Sequence, residues 1–230
     1  MKDLFEYSVF FGAFLSLLSY YVGIWLRRKT GWSFMNPLLV SVILVVSVLL
    51  LTGTGYEEYA RGADLISYLL TPATICLAVP LYQQVELLKK NWKAVIAGIT
   101  AGVLSSMLSV LVFALIFHFD HASYVTFLPK SITTAIGMGV TEELGGYVPV
   151  TVVVIIITGV IGNIFAEKFL KIMNIKEPIA KGIAIGSSSH AIGTTKAMEL
   201  GAVEGAMSSL SIAVAGLLTV IGATVFSSLY

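Results

Sequence analysis

Charge is scarce in this sequence. Lysine, arginine, aspartate and glutamate make up 12% of 230 residues, where a soluble domain carries about a quarter. The 14 basic and 13 acidic side chains nearly cancel, so no basic field for nucleic acid exists. Cys76 is the only cysteine, which excludes internal disulfides and thiolate metal clusters. Three histidines, with His118 and His121 close together, leave little for a metal site. There is no phosphate-binding loop, dinucleotide fingerprint or metalloprotease helix. Ser189 and His190 are adjacent and project differently, and no placed acid completes a triad with them. No enzyme is expected, and no cofactor or metal.

What is present is apolar. Hydrophobic residues reach 57% and mean hydropathy is +0.92. They come in runs, not amphipathic stripes, which predicts an all-α, polytopic integral membrane protein of the cell (plasma) membrane, with the lipid bilayer as its first partner. Leu4 to Leu26 is too long for a signal-peptide core, and Arg27-Arg28-Lys29 replaces a cleavage site, so residues 1–30 read as a retained N-terminal helix. Those three cations mark the cytoplasmic side. Asn36-Pro37 opens a second run, Leu38 to Thr52. The acidic loop Gly53 to Asp64 reads as external. Leu65 to Gln84 is apolar but interrupted by Pro72 and Pro80, and proline deep in a helix kinks or breaks it. Ala94 to Phe117 is the cleanest span, after Lys89, Lys90 and Lys93. Residues 124–146 are short, broken by Pro129, and carry Lys130, Glu142 and Glu143. Tyr147 to Phe169 ends among lysines, and Gly205 to Tyr230 closes the chain.

Between these last two spans lies KEPIAKGIAIGSSSHAIGTTKAMELG, residues 176–201. Its hydroxyls, histidine and lysines cost free energy in hydrocarbon unless they face protein or water. Weak matches relate residues 36–119 to 147–230: Thr52-Gly53 with Thr158-Gly159, Pro72 with Pro178, and GVLSSML with GAMSSLS. The lysine clusters orient the two copies oppositely. Inverted repeats with broken helices at corresponding places are a transporter signature. About seven crossings result, with 124–146 re-entrant from outside. A rival count makes Leu65 to Gln84 and Pro178 to Leu200 re-entrant and lets 124–146 cross, at odds with the positive-inside rule.

The strings LPKSITTAIGMGVTEELGG and IAKGIAIGSSSHAIGTTKAMELGAVEGAMSSL, with NPLL at Asn36 and CLAVPLY at Cys76, resemble the LrgB/CidB membrane protein family. The likeness covers essentially the whole chain as one LrgB-like transmembrane domain, 1–230. It implies an antiholin-like protein that modulates murein hydrolase export and autolysis beside a small LrgA/CidA-type partner. A chloroplast relative carries glycolate and glycerate, and some bacterial relatives are linked to pyruvate uptake.

The main expectation is therefore a proton-coupled secondary transporter of small monocarboxylates; the alternative is the antiholin-like regulator. A small carboxylate anion needs donors and shelter from water. Candidate donors are Lys130, Ser131, Thr133 and Thr134 after Pro129, and Ser189, His190, Gly193, Thr194 and Lys196 in the second motif. His190 and Glu142 are proton-coupling candidates. Helix breaks are expected at Pro72, Pro80, Pro129 and Gly193. The other reading of these hydroxyls is local bonding to backbone. His190 can equally be a neutral strut, Lys196 can pair with Glu199, and Glu142 can be solvated. Small-residue faces at Gly98/Gly102 and Gly182/Gly186 suggest a homodimer.

Overall fold

The computed structural model describes residues 10–31, 35–69, 72, 75–76 and 78–230. All regular elements among the described residues are helices. Three are long and apolar enough to cross a membrane: Val85–Phe117, Val148–Ile172 and Ala202–Ser227. The chain is an all-α membrane protein. It divides into two compact units, Met1–Cys76 and Leu77–Tyr230.

The first unit packs α1 (Phe11–Thr30), α2 (Pro37–Thr52) and α3 (Tyr56–Ser67) around Phe11, Leu15 and Val45. Glycine 31 ends α1 at φ 66°, just after Arg27, Arg28 and Lys29, whose charges complement the helix C-terminus. Asn36 caps α2: its Oδ1 accepts from the N–H groups of Leu38 and Leu39 at 2.9 and 3.3 Å. The acidic stretch read as a loop is largely helical. Glu57 and Glu58 fall in the first turn of α3, where carboxylates suit the helix dipole, and Glu58 accepts the Gly55 N–H at 3.1 Å.

The second unit contains α4 (Ala78–Gln83), α5 (Val85–Phe117), α6 (His121–Phe127), α7 (Thr134–Glu143), α8 (Val148–Ile172), α9 (Pro178–Leu200) and α10 (Ala202–Ser227). Val95, Ile99, Val103, Met107, Val110 and Ala114 form one buried stripe on α5, at intervals of three and four residues. It packs with Met207, Ala215, Ala223 and Phe226 of α10. Tyr124 Oη donates to the Phe226 carbonyl at 2.9 Å, and Tyr230 Oη donates to Phe119 at 2.6 Å and Ala114 at 3.2 Å. These bonds join one end of α5, α6 and α10.

Helix α9 does not run straight. His190 has φ 42° and ψ −142°, outside helical space. Ala184, Ile185, Ala197 and Leu200 share one apolar cluster with Leu170. In a straight helix Ala184 and Leu200 would stand about 24 Å apart. A Cβ on Gly193 would lie 3.1 Å from the Ile185 side chain. The arms 178–189 and 191–200 thus fold back on each other about His190.

Neighbour contacts give the directions. Gly98 and Gly102 of α5 face Ile183 and Ser187 on the first arm. Gly159 and Gly162 of α8 face His190 and Ser189, and Glu167 pairs with Lys196 on the second arm. So the first arm runs alongside α5, the second alongside α8, and α9 begins and ends at the lysine-bearing ends of those helices. The interval α6–α7 approaches from the opposite end. Its link, 128–133, reaches Ser106 of α5 through Lys130, and α7 returns along α8, with Thr141 bonded to Thr151 at 2.9 Å.

The expected breaks fall as follows. Pro129 lies in the non-helical link between α6 and α7. Pro80 sits inside α4 and does not end it; the interruption before α5 is at Gln84, with φ −109° and ψ 16°. Gly193 is helical, and the break in α9 falls three residues earlier, at His190. Pro72 is described, but its neighbours at 70–71 and 73–74 lie outside the described residues, as do positions 4–9 of the first expected span.

Candidate anion-binding site

A cavity of about 1090 Å³ opens between α5, α8 and the first arm of α9. Its polar wall comes from three places: Ser105, Ser106 and Ser109 on α5, Lys130 and Ser131 in the α6–α7 link, and Ser187, Ser188 and Ser189 beside the break in α9. Lys130 Nζ donates to Ser106 Oγ at 3.0 Å and Ser131 Oγ at 3.2 Å, and those two oxygens are 3.0 Å apart. Ser188 and Ser189 Oγ are also 3.0 Å apart. Ser187 and Ser188 donate to Ile183 and Ala184 carbonyls, both at 2.7 Å, so their hydroxyl hydrogens are engaged by backbone.

Ser106 lies halfway along the apolar run 94–117. Lys130 therefore carries its ammonium to the mid-depth of the bundle, where a cation is costly without an anionic or polar partner. Among the described residues, the ion pairs formed by other lysines do not extend to it. Two hydroxyls solvate the ammonium, and among the described residues no ion pair to it is formed. Opposite, Gly162 makes room for Ser189: a Cβ there would overlap the serine side chain.

Of the expected site residues, the structure brings Lys130, Ser131 and Ser189 to this wall. The others lie off it. His190 is buried, and its Nε2–H donates to the Ile155 carbonyl at 3.0 Å; the ring rests on Gly159. Thr194 Oγ1 donates to the His190 carbonyl at 2.9 Å and shares a 2.7 Å hydrogen bond with Ser208 Oγ. Gly193 lets the arms of α9 touch. Lys196 pairs with Glu199 at 3.1 Å and Glu167 at 3.4 Å. Thr133 precedes α7 with no side-chain cap, Thr134 begins that helix, and Glu142 is exposed near its end.

Sequence reasoning missed Ser105, Ser106, Ser109 and Gly162 as site residues. The available signal is the serine pair at the centre of an apolar run, Ser105-Ser106.

The fold and wall define a class: an all-α membrane protein with a lysine and several hydroxyls lining a cavity at mid-depth. The chain belongs to the LrgB-like family, whose match spans residues 16–229. It is similar to the antiholin-like protein LrgB of Bacillus subtilis (strain 168), 38% identical over 223 residues, covering 96% of each chain. No solved structure matches it.

Proposed function

We propose that this protein binds and carries small monocarboxylate anions, of the pyruvate, glycolate or glycerate type, across the plasma membrane, and is not an enzyme. The observation carrying this reading is the Lys130 ammonium, at mid-depth, solvated by Ser106 and Ser131 and facing a cavity. An incoming carboxylate supplies the missing negative charge, and charge-assisted hydrogen bonds of this kind are the strong ones. Two helical hairpins entering from opposite ends and meeting at one cavity also support transport, since discontinuous helices at the midplane form such sites. In this reading 124–146 is re-entrant from outside, and the inverted relation of 36–119 to 147–230 belongs to the proposal. Proton coupling does too, although His190 and Glu142 lie off the cavity wall.

A second reading, an antiholin-like regulator of murein hydrolase export and autolysis acting with an LrgA-type partner, is favoured by the likeness to the Bacillus protein of that name. The comparisons weigh on its side and the cavity on the other. Proteoliposomes separate the two. Uptake of labelled pyruvate or glycolate, enhanced by an imposed pH gradient and cut at least tenfold by Lys130→Ala, is the expected result. Absence of uptake by the wild-type protein, together with a lysis phenotype that Lys130→Ala leaves intact, removes transport and leaves regulation.

A further inference from the structure

The cavity that reaches Lys130 is larger and oilier than a three-carbon acid requires. Its hydroxyls gather around Lys130, while the wall toward Asn91 and Glu177 is built from Ala94, Gly98, Ile161, Phe165, Phe169 and Ile183. Its volume of about 1090 Å³ slightly exceeds that of sites for drug-sized ligands, about 300–1,000 Å³. Ile161, Phe165 and Phe169 are exposed, so the trough is an open groove along α8. From Ser106 back to Ala94 the α5 axis covers about 18 Å. One end thus offers a cation and hydroxyls, and the remainder offers an elongated apolar trough.

We infer that the site accepts monocarboxylates bearing an unbranched, medium-length apolar tail, with the carboxylate at Lys130 and the tail along α5 and α8 toward Ala94. This rests on the anion-site reading above and extends its substrate class. Charge complementarity fixes the orientation. Reversed, the ligand would leave Lys130 unneutralised and put a carboxylate among Phe165, Phe169 and Ile183.

The test titrates the full chain, in nanodiscs of zwitterionic lipid, with acetate, butanoate, octanoate and dodecanoate, and with octan-1-ol as an uncharged probe. Empty nanodiscs provide the partitioning baseline. Affinity should rise about fourfold per added methylene beyond butanoate, and octan-1-ol should bind at least tenfold more weakly than octanoate. Ala94→Trp fills the far end of the trough, about 18 Å from Ser106, so it should abolish the gain between octanoate and dodecanoate. Lys130→Met should weaken every acid. A flat series that Lys130→Met still weakens overturns the apolar-tail inference and leaves the anion site standing. Octanoate binding unaffected by Lys130→Met, or matched by octan-1-ol, is simple partitioning and overturns it as well. No binding of any acid to the wild-type protein removes both. If Lys130→Met fails to assemble, the chain-length series in Ala94→Trp decides alone.

Discussion

Gly162 and Thr194 show how closely the middle of α9 is fitted to its neighbours. A methyl group at Gly162 would occupy the space of the Ser189 side chain. Gly162→Ala should therefore cost about 1–3 kcal/mol of stability, the usual price of overpacking, read as a lower melting temperature in detergent. It should also weaken ligand binding, because Ser189 is forced off the wall. Thr194→Val should behave differently. It removes the hydrogen bonds to Ser208 and the His190 carbonyl, so stability should fall by about 1–3 kcal/mol, yet ligand affinity should stay within twofold. A tenfold loss of affinity without loss of stability would return Thr194 to the ligand. At this scale the sequence was partly legible. Lys130, Ser131 and Ser189 stood out as polar groups in oily runs. The role of Thr194 did not, because a hydroxyl bonded to ligand and one bonded to Ser208 look identical in sequence, whereas the Lys196–Glu199 pair was one of the two readings open for that lysine.

Among the elements, α9 departs most from its sequence reading. Proline 178 and the apolar start led to a crossing segment broken at Gly193, since glycine is the expected carrier of unusual backbone angles. The turn instead uses His190 at positive φ, held by the Ile155 carbonyl and by Thr194. Only tertiary partners stabilise such a conformation in a residue with a Cβ, so propensity could not reveal it. If both arms return to one end, Lys176→Cys and Glu199→Cys in a Cys76→Ser background should react with an impermeant thiol reagent from the same side of oriented vesicles. Ser228→Cys should react from the other. Labelling of positions 176 and 199 from opposite sides would make α9 a crossing helix.

For the whole molecule, the small-residue faces bear on assembly. Gly98 and Gly102 receive Ile183 and Ser187, and Gly182 and Gly186 receive Glu204, Met207 and Ser208. All four are spent within one chain, so a homodimer, if formed, uses another surface. Gly186→Leu should accordingly destabilise the monomer without changing the oligomeric state of the protein that survives, measured by light scattering in mild detergent. Conversion of a dimer to stable monomers by Gly186→Leu would reinstate that face as an interface. The membrane class was legible from hydropathy alone. The number of crossings was not, because hydropathy registers which segments enter the apolar layer and not whether they come out on the far side.

The fold-back at His190 also bears on biogenesis. Residues 178–200 carry three consecutive serines, a histidine and two lysines, too polar to leave a translocon alone as a span. Their polar tip is satisfied by α8, through Ile155, and by α10, through Ser208, and α10 is made later. The hairpin must wait in a wet or protected setting until α10 arrives, so α9 is fully placed only after α10 has been made. Loss of α10 should leave α5 and α8 inserted but α9 unplaced, a polar hairpin open to membrane proteases.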